Sequence, residues 1–286
     1  MSKYNKHLII VGTARSGTSW LSEIIATQYR YRLLFEPDHE FRTLRGKLIC
    51  DRFFLNEQQA GVDAIKYMRQ VFANHVDCDW IGQVSNRKFK RHLWPFVPKR
   101  YIIKFVRANL SAVFMNAYFD IPVVHILRNP YDVIHSQERV KFPWLYDLSK
   151  FAAQPILVSL VQAHFQYDIT QWEQCTAIEK LALRWCLENV IPLEVLGGYK
   201  GRALVIRYED LKNDIGLFYD LCNTFDLVPR EDIERVYKRP SSKTHPKSTI
   251  AGASKELYGT LSQESLSEIN TVLDVFKTKL YQKHHT

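Results

Sequence analysis

Two stretches of the chain gather hydrogen-bond donors suited to anions. In "GTARSGTSWL", residues 12–21, Arg15, Ser16, Thr18 and Ser19 surround Gly12 and Gly17. The two glycines permit a sharp turn after a strand. A helix opening after that turn offers free N–H groups and the positive end of its dipole. The hydroxyls of Ser16, Thr18 and Ser19 add donors, and Arg15 adds a planar donor fork. A phosphate-like anion suits such a site. The glycine spacing is that of G-x-x-x-x-G-K-[ST], but Thr18 stands where the lysine belongs. No strand ends in the acidic residue that helps hold Mg²⁺, which disfavours a metal–nucleotide site. The alternative is a plain strand–helix turn with Ser16 as its N-cap.

The second stretch is "HILRNPYDVIHSQ", residues 125–137. Arg128 falls at a strand end, Asn129 can cap the next helix, and Pro130 suits its first position. Asp132 lies in the first turn, where the dipole favours it, and Ser136 follows about two turns along. Arg128 and Ser136 together can pinch a second anion beside the first. Singly, Arg128 reads equally as a surface ion pair and Ser136 as part of a solvated helix face.

Positioning two anion sites requires a sheet. Five β-branched or apolar runs recur: "HLIIVG" (7–12), "RLLFEP" (32–37), "YIIKFV" (101–106), "PVVHIL" (122–127) and "ALVIRY" (203–208). Apolar on both faces and alternating with helical segments, they predict a buried, doubly wound parallel sheet of the α/β class. Ligands of such sheets bind outside the carboxyl ends of the strands. The segment 177–196 reads as a helix with Trp185 in the core and a kink or end at Pro192. Residues 38–100 and 138–200 read as helical or irregular, and 238–259 as a basic, Ser/Pro-rich loop.

With 286 residues, 46% apolar and 24% charged, the chain suits a globular enzyme with a sizeable core. The formal net charge of +9 favours an anionic partner: nucleic acid, an acidic membrane surface or a phosphorylated small molecule. Five widely spaced cysteines without a C-x-x-C pair suggest free, buried thiols in a reducing compartment rather than zinc or disulfides. The N-terminal apolar run is too short for a signal peptide, and "PILVSLVQA" (155–163) is too short to span a bilayer. These features predict a soluble, cytoplasmic protein with no membrane span, its oligomeric state left open.

"GTARSGTSWL" resembles the 5′-phosphosulfate-binding loop of sulfotransferases that use 3′-phosphoadenosine 5′-phosphosulfate (PAPS). "LRNPYDVIHS" resembles their 3′-phosphate-binding strand and helix. "LFEP" (34–37), "IIKFVR" (102–107) and "RYEDL" (207–211) follow the order of the carbohydrate 6-O-sulfotransferase branch, and an arginine at the position of Arg15 is typical of that branch. The resemblance covers the sheet and its loops, about half the chain. It implies a P-loop-like five-stranded parallel sheet in a single domain over 1–286, with the acceptor pocket shaped by 38–100 and 138–200. It also implies transfer of a sulfuryl group to a hydroxyl of a carbohydrate or related small molecule, with 3′-phosphoadenosine 5′-phosphate (PAP) as product, no metal, and no nucleic-acid partner.

Site residues follow from the same likeness. Gly12, Thr13, Ala14, Arg15, Ser16, Gly17, Thr18 and Ser19 would hold the 5′ end of the donor, and Arg128 and Ser136 its 3′-phosphate. Arg15 would steady the leaving phosphate. Glu36 would act as the base or serve as a structural ion pair or cap, with His39 as the other candidate base. Lys104 reads either as a contact to donor or acceptor or as an edge-strand lysine with its tip in water. Arg107 and Tyr208 sit at strand ends facing the site, and packing against "EDL" explains Tyr208 equally well. Lys243, Lys247 and Lys255 would fold over the 3′-phosphate or form a solvated charge run. Two other classes stay open: a small-molecule kinase with a degenerate loop, and a non-catalytic binder of RNA or another acidic partner.

Overall fold

All five apolar runs become strands of one parallel sheet. They are β1 (Leu8–Val11), β2 (Tyr31–Phe35), β3 (Arg100–Lys104), β4 (Val123–Leu127) and β5 (Ala203–Arg207), in the order β2-β3-β1-β4-β5. The computed structural model describes residues 3–28, 30–76, 78–83, 100–242 and 261–282. Register is parallel throughout, with Ile9 opposite Ile103 on one side and Val123 on the other. β1 is central, so its residues are buried on both faces, and Ile9, Ile10 and Val11 are fully enclosed. That double burial explains why the run is uniformly apolar rather than alternating.

Helices cover both faces. Leu21, Ile24 and Ile25 of α1 (Thr18–Ala26) pack with Leu8, Ile10 and Ile102 on one side. On the other, the helix Glu57–Phe72 sets Met68, Val71 and Phe72 against Ile9, Val11 and Ile103. The helix Ala177–Val190 opens on a capping box, Thr176 with Glu179, and buries Trp185 completely. The Trp185 indole N–H donates to the Arg128 carbonyl at 3.1 Å, so this core residue also fixes the end of β4. Pro192 does disturb the helix, and the chain continues as a π-helical turn over Ile191–Val195.

The cysteines are unbridged: Cys50, Cys186 and Cys222 are buried, while Cys78 and Cys175 are partly exposed. Among the described residues no helix is long and apolar enough to cross a membrane.

Strand order places the site. The chain runs outward from β1 to β2, returns through β3, and builds β4 and β5 on the opposite side. The carboxyl ends of β3, β1 and β4 therefore lie side by side at the reversal, where open α/β sheets form their crevice.

Candidate active site

The loop after β1 turns within six residues. Gly12 approaches β4 so closely that a Cβ there would lie 2.6 Å from the Ile126 carbonyl oxygen. Gly17, with φ of 92°, is the N-cap of α1 in the left-handed conformation, and no side chain caps the helix. The helix begins at Thr18, so the cap position falls on Gly17 rather than on Ser16. Its first N–H groups are the donors an anion can take up.

Not every loop residue faces the cleft. Ala14, Arg15, Gly17, Thr18 and Ser19 line it, whereas Gly12, Thr13 and Ser16 shape the loop from within. The Thr13 hydroxyl accepts from the Asn189 amide at 2.8 Å, the Ser16 N–H donates to the Thr13 carbonyl at 3.0 Å, and the Gly12 N–H donates to Asn109 Oδ1 at 2.8 Å.

The second cluster meets the first directly. Arg15 Nε donates to Ser136 Oγ at 3.1 Å, and Arg128 Nη1 donates to the Arg15 carbonyl at 2.9 Å. Ser136 does not line the cleft and acts on it through Arg15. Arg128 lies over the Tyr208 ring at 4.8 Å and reaches Asp132 at 3.7 Å. Its Nε is buried and has no hydrogen-bond partner among the described residues. Burial and the neighbouring Arg128 charge both pull the Arg15 guanidinium below its usual value. Two adjacent arginines, one orphaned guanidinium N–H and an uncapped helix N-terminus are a donor set that a phosphate ester fits.

Across the cleft, the ends of β2 and β3 supply a cluster of opposite character. Glu36 follows β2 with φ of 45°; its Oε1 lies 2.5 Å from Lys104 Nζ and its Oε2 3.3 Å from Arg107 Nη1. Burial pushes the Glu36 carboxyl up, but the two cations outweigh it and hold the group below the ordinary carboxylate value. The edge-strand reading of Lys104 is corrected here. β3 lies between β2 and β1, and the buried Lys104 is satisfied by Glu36 and by the Phe35 ring at 4.2 Å. Arg107 stacks on Trp144 at 4.0 Å. His39 lines the same cleft, and burial, reinforced by Arg107, lowers its pKa to about 4. Its Nδ1 accepts from the Phe41 N–H at 3.3 Å, which leaves the proton on Nε2.

One cleft of about 590 Å³ joins both halves, with Arg15, Thr18, Ser19 and Arg128 at one end and Glu36, Lys104 and Arg107 at the other. Tyr208, from the end of β5, closes over Gly17; a Cβ on that glycine would lie 2.3 Å from the Tyr208 ring. Its neighbour Arg207 turns away to the Leu280 carbonyl. Lys243, Lys247 and Lys255 lie outside the described residues.

Several lining residues carried no readable signal in sequence. Trp80, Phe142 and Trp144 form aromatic walls at the Glu36 end, from the two segments that matched no motif. Lys212 lines the other end with its ammonium 5.0 Å over the Trp20 ring. Asp38 is fully enclosed; its Oδ2 accepts from the Val106 and Arg107 N–H groups at 2.8 and 2.5 Å and so fixes the loop that carries Arg107. The "EPD" following β2 was the signal available for it.

No family profile and no curated protein matches the chain. Among solved structures, it is similar to the sulfotransferase domain from the curacin biosynthetic pathway, at 14% identity over 96% of this chain and 98% of that one, with a TM-score of 0.53. The sulfotransferase domain of the Synechococcus PCC 7002 olefin synthase aligns at 14% identity over 96% and 95%, with a TM-score of 0.49. A mouse sulfotransferase complexed with PAP aligns at 12% identity over 96% and 86%, with a TM-score of 0.42. The five-stranded parallel sheet with its flanking helices is thus the sulfotransferase fold.

Proposed function

We propose that this protein is a sulfotransferase that moves a sulfuryl group from PAPS to a hydroxyl of a carbohydrate or related small-molecule acceptor. The observation that carries this reading is the single cleft, with an anion-binding half built on Arg15, Arg128 and the N-terminus of α1 facing a carboxylate, Glu36. When bound, the donor supplies an activated sulfuryl group and leaves as PAP.

The chain's own residues then divide the work. Thr18, Ser19 and the first N–H groups of α1 hold the 5′ end of the donor; Arg128, with Ser136 acting through Arg15, holds the 3′-phosphate. Arg15 neutralises charge growing on the departing phosphate, a preorganised electrostatic contribution. Glu36 takes the proton of the acceptor hydroxyl. Lys104 and Arg107 keep Glu36 ionised and fix its orientation, which lowers its intrinsic basicity but guarantees the correct protonation state. The aromatic walls Trp80, Phe142 and Trp144 suit the flat apolar face of a sugar ring. The unbridged thiols support a reducing, cytoplasmic setting.

Calorimetry with PAP against ATP–Mg²⁺ tests the donor half: binding of PAP alone is expected, and preference for ATP–Mg²⁺ would overturn it. Screening hydroxyl acceptors with labelled donor tests the acceptor half, with label transfer to sugars expected over transfer to amines.

A further inference from the structure

The short loop at the rim of the Glu36 end partitions its side chains the wrong way round for a free surface. Thr43 is buried, while Phe41 is 82% and Leu44 91% exposed. Burying a threonine and exposing its apolar neighbours opposes the ordinary preference, so the loop must be held in this form, and it is. Thr43 Oγ1 donates to the His39 carbonyl at 2.8 Å and accepts from the Gly46 N–H at 2.9 Å. Gly46 leaves no room for a side chain, since a Cβ would lie 2.3 Å from Thr43 Oγ1. The Tyr67 hydroxyl anchors the base of the loop at the Pro37 carbonyl, 2.7 Å away.

Charge surrounds the two apolar side chains. Arg42 and Lys47 are exposed and Arg45 half-exposed, while the local acid, Glu40, is tied to Lys150. The loop is also joined to the cleft wall. The Phe41 N–H donates to His39, and Arg42 lies 5.6 Å over the ring of Trp80, two residues that line the cleft.

We propose that this loop docks the protein on an anionic bilayer, with Phe41 and Leu44 entering the headgroup region and Arg42, Arg45 and Lys47 facing the lipid phosphates. Basic residues flanking a small apolar tip are the composition of interfacial anchors, and the +9 net charge of the chain complements such a surface. A protein partner fits less well. Stable interfaces cover about 800 Å² on each side, and two side chains on one tight loop fall well short. The acceptor half of the cleft then opens beside the membrane, which suits a hydroxyl carried on a lipid headgroup. The docking itself stands independently of the donor chemistry.

Flotation of the full chain with phosphatidylcholine vesicles, with and without phosphatidylglycerol, tests the inference. Binding is expected only with phosphatidylglycerol, falling at least about tenfold in Phe41→Ser/Leu44→Ser. It should also weaken in Arg42→Gln/Lys47→Gln and with added salt. Unchanged thermal unfolding would show that the exposed variants fold. Three results would overturn the proposal: no wild-type binding to anionic vesicles, undiminished binding by Phe41→Ser/Leu44→Ser, or a self-associated species in sedimentation that the same variant abolishes.

Discussion

Arg15 Nε and Ser136 Oγ, 121 positions apart in the chain, meet at 3.1 Å, and Arg128 joins them by donating to the Arg15 carbonyl. The two clusters proposed to bind the donor are therefore joined at Arg15. Arg15 meets Ser136 through its guanidinium and Arg128 through its backbone carbonyl.

That arrangement separates the roles of the two arginines. Arg15→Ala should lower kcat by about 10²–10³-fold, the usual cost of removing a preorganised donor to developing charge. Arg128→Ala should mainly raise the Kd for PAP, measured by calorimetry. Near-wild-type values for both would refute the assignment.

Gly17 has two constraints, a left-handed φ of 92° and the Tyr208 ring lying where a Cβ would go. Gly17→Ala should destabilise the fold by about 1–3 kcal/mol and weaken PAP binding. Denaturant unfolding with parallel calorimetry checks both. Wild-type stability would mean that the loop relaxes without cost.

The Glu36 base role makes a pH prediction. With its pKa held below the ordinary carboxylate value, Glu36 stays ionised as pH falls through the usual carboxylate range. The acid limb of kcat/KM should therefore lie low. Lys104→Met removes the nearer cation, leaves burial less opposed, and should move that limb to higher pH. Glu36→Gln should cost about 10²–10⁴-fold in kcat. Full activity in Glu36→Gln, or an unmoved limb in Lys104→Met, would pass the role to another group.

His125 predicts acid sensitivity of the fold itself. Enclosed in β4 between Asn189 at 3.0 Å and Tyr199 at 2.7 Å, it is pushed by burial from 6.5 to about 4. The unfolded chain binds that proton first, so stability is lost as pH falls from 6.5 towards 4, by roughly 3 kcal/mol in total. Asp38, raised by burial to about 6, acts in the opposite sense over an overlapping range. The readout is therefore the difference between wild type and His125→Gln, whose unfolding free energy should fall less steeply over the same pH interval. Parallel pH profiles would exclude His125 as the source.

What the amino-acid order determined by itself is local. Apolar runs became strands β1 to β4 because a doubly covered parallel sheet buries both of their faces, whereas β5, at the sheet edge, leaves Val205 exposed. The glycines, hydroxyls and Arg15 of the first loop marked a candidate anion site because turn geometry and helix N-termini depend on neighbours within a few residues. Pairing was decided only in three dimensions. Setting β3 between β2 and β1 turned Lys104 from a possible edge lysine into the buried partner of Glu36, 68 positions away. The same sheet order carried Arg128 to Arg15, Tyr208 onto Gly17, and Trp80 and Trp144 to one cleft. Helical and strand periodicities carry no information about which strand lies beside which. That depends on the packing of whole layers, and the chemistry of this cleft is assembled at their meeting edge.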